Sequence, residues 1–283
     1  MLTTLAKVQT LIGLESPTAS ETAALKHLLR RGSALIRAYC RRWHGAAIES
    51  NSVAAATVVT CYGHGLQSGD IINVFGSNST PTIDGERTVT VLTEDTFTVA
   101  VTVTAAGTTG QFSKRIDEYL DGDGGDVLQL PQRPVRSVSS IWVDPTGFYG
   151  QGANAFADST LLTAGTDYVL QMQSADQSMT GTVLRLNGSW PSTRQQVGLV
   201  SVSSPSRGSI KVRYFTGWKV LPSELQLAAE LVVADLYRTA ASGAAMASES
   251  LDYYSYTRLT ADEEAKALHS AKSLLARQVS PLA

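Results

Sequence analysis

Two periodicities of apolar residues alternate along the chain and divide it into helical and extended parts. Across residues 21–44 apolar side chains recur three and four positions apart, which predicts one long amphipathic helix. Across 53–112 the pattern changes to alternating Val and Thr with Gly turns, as in Thr96-Phe97-Thr98-Val99, which predicts short β-strands. After Arg115 the pattern of apolar and polar residues changes again. These changes predict a discontinuous scaffold, residues 1–49 and 115–283, that carries an inserted β-module, residues 50–114.

The fold class that follows is α+β: a helical scaffold with a β-sheet region, plus an inserted all-β, barrel-like domain. In the scaffold, Ser20 is placed to cap the long helix, and Thr260 with Glu263 to cap a last helix. A further helix is predicted for Pro222–Ala241. The predicted scaffold strands are Asp126–Leu130, Pro134–Val143, Tyr168–Met172, Thr182–Leu186, Val197–Val202 and Ile210–Phe215.

Composition narrows the setting in which the protein works. The 283 residues carry a net charge of −2, so no overall pull towards nucleic acid or anionic membrane is expected. Two cysteines are too few for a disulfide framework and suit a reducing cytoplasm. The first residues do not read as a signal peptide, and no apolar run approaches the roughly 20 residues of a membrane span. A soluble protein made and used inside a cell is expected.

One face of the long helix is basic. Lys26, Arg30, Arg37 and Arg41 lie on the side opposite the apolar stripe, and no acidic residue occurs from Thr22 to His44. A solvated face is one interpretation. The other is docking onto an acidic partner or lining a channel that carries DNA, where basic side chains neutralise phosphates.

Two segments are candidates for contacts between subunits. The helix at Pro222–Ala241 is apolar nearly all round, since Leu227 and Leu231 lie outside its main stripe, and such a helix is buried on several sides. The second segment is rich in tyrosine, which suits interfaces because the ring is large and amphipathic. Its candidate contact residues are Glu249, Tyr253, Tyr254 and Tyr256.

The sequence gives little support to a metal site or to catalysis. Asp121, Asp123 and Asp126 fall within six residues, but Gln132 stands where a calcium loop counted from Asp121 would need Glu. A zinc site could be drawn from Cys40, His44, Cys61 and His64, although Cys40 lies at the edge of the helix's apolar stripe, where a cysteine packs as a small hydrophobe. No G-x-S-x-G, H-E-x-x-H or Walker-type motif is present. A protein that is not an enzyme, with no cofactor and no metal, is therefore expected.

The inserted segment resembles a small β-barrel-like module of phage structural proteins. The resemblance rests on His64-Gly65-Leu66, on Gly69-Asp70 at the opening of a strand, and on the turn Asp84-Gly85. It covers about 60 residues, within the lengths usual for small domains.

The scaffold resembles the head–tail connector, or adaptor, proteins of long-tailed bacteriophages. The segments that carry the resemblance occur in the order YLDGDGGDVLQLPQRPVRSVSSIWVD, GTDYVL, LNGSWP, IKVRYFTGWKVLPSELQLAAELVVADLY and ESLDYYSYT. The resemblance implies a ring of about twelve subunits under the portal vertex, closed by head-to-tail contacts. It also implies contact with the portal protein, with a tail-neck or tail-terminator protein and with the DNA channel, and a place in the virion neck after assembly in the host cytoplasm. The alternative is a carbohydrate- or receptor-binding phage tail module that acts through the β-insertion.

Overall fold

The computed structural model describes residues 1–40, 45–171, 181–192, 194–197, 200–203, 207–218, 220–241, 249–251, 254–256 and 261–276. The chain divides into two compact units. The first unit combines Met1–Phe112 with Val220–Ala283, and the second is Ser113–Lys219. The described residues contain both helices and antiparallel sheets, so the α+β class is confirmed. None of the described helices is both long enough and apolar enough to cross a membrane.

The described part of the first unit contains four helices: α1 Leu5–Ile12, α2 Ala19–Cys40, α3 Ser223–Ala241 and α4 Ala261–Leu275. The predicted cap of α2 was wrong. Glu21 N–H donates to Thr18 Oγ1 at 3.2 Å, while Thr18 N–H donates to the Glu21 carboxylate at 2.8 Å. This reciprocal pair is a capping box, so Thr18 caps α2 and Ser20 lies inside it. Thr260, predicted to cap α4, lies outside the described residues.

Helices α2 and α3 approach each other closely at a glycine. A Cβ added to Gly32 would lie 2.8 Å from Val233 Cγ2, closer than packed carbon atoms come. Both helices bury their apolar stripes here; Leu25, Leu29, Val232 and Leu236 are fully buried. Polar contacts link the start of the chain to α3: Thr3, which precedes α1, donates from Oγ1 to Glu230 at 2.9 Å, and Lys7 on α1 donates to Gln226. The helical core of the first unit therefore joins the two ends of the described chain.

The same unit holds an antiparallel sheet in the order β2-β3-β6-β5-β4. Its strands are β2 Ser50–Asn51, β3 Thr57–Thr60, β4 Ile71–Phe75, β5 Gly85–Thr93 and β6 Thr96–Val99; the two-residue β1, Ala46–Ala47, precedes them and pairs with the first two residues of β7, Gln111–Leu120. Burial alternates along β3 and β6, as the Val/Thr alternation predicts. The sheet core contains Phe97 and Phe112, whose rings meet edge to face at 5.6 Å. The sheet is open, so the structure does not support the predicted barrel-like form.

Two antiparallel sheets contribute to the core of the second unit. Most of β7 pairs with β14 Ile210–Thr216, which also pairs with β9 Val135–Val143. The second sheet has the order β10-β11-β8, formed by β8 Val127–Gln129, β10 Tyr168–Leu170 and β11 Thr182–Arg185. The core contains buried residues of both sheets, chiefly Leu128, Ile141, Val183, Val212 and Tyr214, together with Trp190 from the segment after β11.

One predicted strand is two strands. The segment Val197–Val202 contains the end of β12 Arg194–Val197 and most of β13 Val200–Ser203, which pair antiparallel with Val197 opposite Val200. Because the segment begins and ends with apolar residues, its sequence predicted one continuous strand. The remaining pair, β15 Glu249–Leu251 and β16 Tyr254–Tyr256, belongs to the first unit.

The predicted division into scaffold and insertion follows a different principle from these units. The prediction rests on a change in the pattern of apolar and polar residues at positions 50 and 114. The two units, in contrast, are defined by which residues contact one another in the structure. The prediction that residues 50–114 form an inserted domain stays a prediction.

Candidate interface surfaces

Helix α3 has a buried side and a partly exposed side. Ala228, Val232 and Leu236 are fully buried, whereas Leu227 is 42% exposed and Leu231 is half-buried. The two leucines are one helical turn apart and therefore lie on the same face. This face is the surface of α3 on which a contact with another subunit was predicted.

The tyrosine-rich candidates lie on or beside the β15–β16 pair. Glu249 is the first residue of β15, and its Cα partner is Tyr256 in β16. Tyr254 opens β16. Tyr253 lies outside the described residues. The pairing brings three of the four candidates into one small two-stranded element, and their role in an interface stays a prediction.

The basic candidates on α2 are placed beside the β-sheet of the same unit. The Lys26 ammonium lies 5.0 Å from the ring centroid of Tyr62, a cation–π distance. The Arg37 side chain is half-buried and its guanidinium donates to the carbonyl of Gly45 at 3.4 Å. Burial lowers the pKa of Arg37 to about 10. Arg41 lies outside the described residues.

Arg30 makes the strongest of these contacts. Its Nε donates to Asp95 Oδ1 at 2.9 Å, its Nη2 contacts the second oxygen of the same carboxylate, and its Nη1 lies 2.6 Å from Glu94. Asp95 also accepts from the N–H of Gly63 at 2.9 Å. A Cβ on Gly63 would lie 2.9 Å from Arg30 Cγ, so the turn at Gly63 packs directly on the arginine stem. The sequence indicated a solvated or partner-facing helix surface at this position, and the structure places two turns of the β-sheet on it.

The acidic turn Asp121–Asp126 is organised by hydrogen bonds of its own unit. Asp121 accepts from the N–H of Gly208 at 2.5 Å and from the Tyr149 hydroxyl, and Asp123 accepts from the N–H of Gly125 at 2.9 Å. The carbonyl of Asp126 accepts from Trp190 Nε1 at 3.0 Å. Within the described ranges, no group of three His, Cys, Asp or Glu side chains is arranged to hold a metal ion.

The cysteine and histidine candidates serve as core residues. Cys40 and Cys61 are not joined in a disulfide, and both are buried. Leu66 N–H donates to His64 Nδ1 at 2.9 Å, so Nε2, 2.9 Å from the carbonyl of Thr93, carries the proton. Burial lowers the pKa of His64, and its ring meets Phe97 edge to face at 5.2 Å. His44 lies outside the described residues.

Sequence reasoning missed an ordered loop that follows β9. Its centre is the carboxylate of Asp144, which accepts from Thr146 N–H, from the Thr146 hydroxyl and from Phe156 N–H, each at 2.9 Å. These bonds, first the one from Phe156, lower the pKa of Asp144. The Asp-Pro-Thr-Gly segment, residues 144–147, is a turn-forming sequence that could have indicated this arrangement.

A lysine on β14, the strand that pairs with β9, contacts the same loop. The Lys211 ammonium lies 5.1 Å from the ring centroid of Trp142 and 5.9 Å from those of Tyr119 and Phe156. Lys211, Trp142 and Tyr119 stand opposite one another on three adjacent strands. Phe156, carried by the loop, closes the group. No signal in the sequence links these four residues, because their pairing depends on strand register.

The chain was compared with known families and structures. No protein-family model matches the sequence, and no curated protein matches it. A chain from the neck of an empty GTA particle, computed with C6 symmetry, is 13% identical, with a TM-score of 0.41, and the match covers 98% of this chain and 89% of that chain. A chain from the virion of a native gene transfer agent (GTA) particle is 12% identical, with a TM-score of 0.39 and the same coverages. Similarity at this level carries no functional argument.

Proposed function

We propose that this chain is a structural, non-catalytic protein of a phage-type virion: a head–tail adaptor whose copies form a ring between the portal and the tail. The supporting observation is the order of the connector-like segments on the fold. YLDG ends β7, GTDYVL leads into β10, IKVRYF forms most of β14, and ELQLAAELVVADLY forms most of α3. These four segments thus each end, lead into or form a strand or helix of the described chain.

The exposed face of α3 supports an assembly role. A ring closes through heterologous contacts, in which one surface of a subunit meets a different surface of the next. Leu227 and Leu231 offer an aliphatic contact on a helix whose other side is fixed in the core. We propose this face as one of the two surfaces in a ring of about twelve subunits, the number that the connector resemblance implies.

Portal, tail-neck or tail-terminator protein and packaged DNA are the proposed partners in the virion neck. DNA contact would depend on basic side chains that are free to meet phosphate. Arg30 is engaged by Asp95 and Glu94 within its own unit, so we do not assign it to such a contact. Contact of the basic α2 face with DNA stays a prediction.

The carbohydrate- or receptor-binding alternative is not favoured by the placement of aromatic side chains. Adhesion modules display aromatic rings on exposed loops. In the predicted insertion, Phe97 and Phe112 are fully buried, Tyr62 is buried and Phe75 is half-buried. These are all the aromatic rings of residues 50–114 other than His64, which is also buried.

The test is assembly with the portal. The purified chain is mixed with the portal protein of the same particle, and the mass of the complex is measured together with its images by electron microscopy. A ring bound to the portal is expected. Leu227→Arg should reduce ring formation and leave the melting temperature unchanged, because an exposed position tolerates charge. Leu92→Arg, at an exposed site on β5, is the matched control and should assemble normally. Failure of the unaltered chain to bind any portal or tail component would contradict the proposal.

A further inference from the structure

Three aromatic side chains of the second unit are exposed although the unit has a well-formed core. Tyr149 is 46% exposed, Phe148 is 40% exposed and Tyr119 is 37% exposed. We call these three residues the aromatic surface. A Cβ on Gly150 would lie 2.7 Å from the Tyr119 hydroxyl, so the loop that carries Phe148 and Tyr149 passes directly over Tyr119. Large exposed rings at one place are typical of surfaces that bind a partner.

The aromatic surface is held in position from beneath. Phe156 is buried and lies 5.5 Å from Tyr119 between ring centroids, and the Lys211 ammonium lies against both rings. A Cβ on Gly208 would lie 2.4 Å from Tyr149 Cγ, so the tyrosine ring rests on this glycine. Phe148 and Tyr149 have φ angles of 45° and 58°. Side chains fixed before binding lose less conformational entropy when a partner arrives.

Carboxylates adjoin the exposed rings. Both oxygens of Asp121 lie 3.4 Å from the Tyr149 hydroxyl. Asp121, Asp123 and Asp126 are all exposed, and none of them forms an ion pair with a cation among the described residues. Three basic residues are neighbours in sequence or in space: Arg185, whose N–H donates to the Asp126 carbonyl at 2.7 Å, Arg207, which precedes Gly208, and Lys211, whose ammonium lies over the aromatic rings. Asp121, the carboxylate beside the Tyr149 hydroxyl, is therefore open to a cation from a partner.

Tyrosine faces beside a carboxylate match the chemistry of arginine. A guanidinium is planar, stacks on an aromatic ring and donates to both oxygens of a carboxylate, whereas an ammonium offers a compact point charge. We propose that the aromatic surface binds an arginine-bearing segment of a partner protein, with the guanidinium stacked on Tyr149 and paired with Asp121. This assignment does not depend on ring assembly or on the virion role.

The test uses the full chain and a short capped peptide that contains arginine. Peptide is titrated while the amide resonances of Gly150 and Gly208 are followed by NMR. We expect saturable shifts at these amides, and a citrulline peptide, with the same shape and no charge, should produce none. Tyr149→Ala and Asp121→Asn should each weaken binding, Tyr149→Ala by about tenfold, the loss of one stacked cation. Tyr149→Phe keeps the ring and should bind nearly as well as the unaltered chain.

Asp158→Asn is the matched control for charge, since Asp158 is exposed and lies outside the aromatic surface. It should bind the peptide as the unaltered chain does, and a melting curve for every variant verifies folding. Equal binding of the citrulline peptide, or unchanged binding by folded Tyr149→Ala, would overturn the proposal. So would shifts at Gly150 and Gly208 that depend on the concentration of the chain alone, because a second copy would then cover the surface.

Discussion

Arg30 on α2 and Asp95 in the β5–β6 turn form a two-point, charge-assisted contact across 65 positions of sequence. Such forked contacts fix orientation as well as distance. The same carboxylate holds the turn at Gly63, so one arginine positions both turns that face the helix. The polar face of α2 is therefore partly an internal surface of the first unit.

Reversing the charge of Arg30 should destabilise the first unit. In Arg30→Glu, a carboxylate faces Asp95 and Glu94, and the Gly63 turn loses the arginine stem on which it packs. The expected loss is about 1–3 kcal/mol, the range for a hydrogen-bonded charge deprived of its partner. Chemical denaturation of the purified chain measures it.

The exchanged pair, Arg30→Asp with Asp95→Arg, is the control for this prediction. It restores opposite charges across the contact and should recover part of the loss, which a double-mutant cycle quantifies. Lys266→Glu reverses an exposed charge on α4 and should change stability little. An unchanged free energy of unfolding in Arg30→Glu would show that the Arg30–Asp95 contact does not stabilise the first unit.

Gly32→Ala should lower stability although alanine favours helices. Helix propensity alone would stabilise the variant by about 1 kcal/mol. The added methyl group, however, would lie 2.8 Å from Val233 Cγ2, and valine has little rotamer freedom in a helix. Overpacking of this kind costs about 1–3 kcal/mol, so a lower melting temperature is expected. Adding Val233→Ala removes the obstructing methyl groups, and if that double variant is no more stable than Val233→Ala alone, the clash is not the cause.

The first unit should lose stability as the pH falls below the ordinary His64 pKa of 6.5. Burial lowers the pKa of His64 in the folded state, so between the two pKa values the unfolded chain binds a proton that the folded chain does not. The contribution of neutral His64 to the free energy of unfolding is therefore complete above pH 6.5 and declines below it. Unfolding free energies measured from pH 8 to pH 5 test this. In His64→Asn the amide oxygen can still accept from Leu66 N–H but does not titrate, and a pH dependence equal to that of the unaltered chain would contradict the assignment.

Asp144→Asn should loosen the loop that carries Phe148 and Tyr149. An amide has one acceptor oxygen, whereas the carboxylate accepts three hydrogen bonds through two oxygens. Hydrogen exchange at the amides of Thr146 and Phe156 should become faster, while exchange in β14 stays slow. The same loosening is expected in the unaltered chain only in acid, because the pKa of Asp144 is lowered and its stabilising effect is lost as the pH falls through that value. Unchanged exchange at Phe156 in the variant would show that Asp144 does not organise the loop.

The sequence predicted the elements of this fold better than their contacts. Helical spacing located α2 and α3, and strand alternation located β6 and β9, because these signals are local. The partner of Arg30 could not be predicted, since Asp95 approaches it only after the sheet has formed. The Lys211 group was missed for the same reason, and the left-handed backbone of Tyr149 leaves no mark in composition. The Thr18–Glu21 capping box could have been predicted from its spacing of three residues, although Ser20 was predicted as the cap instead.

The discontinuity of the first unit has a consequence for the order in which the nascent protein acquires structure. Synthesis runs from the N-terminus, and domains generally fold as units while the chain emerges. Ser113–Lys219 is one uninterrupted stretch and can complete its core on the ribosome. Helix α2 must wait for α3, since the face around Gly32 is covered by Val232 and Val233, residues translated two hundred positions later. During that interval the α2 face that α3 will cover stays exposed, and a delay or truncation late in translation leaves this face uncovered although α2 is among the first elements made.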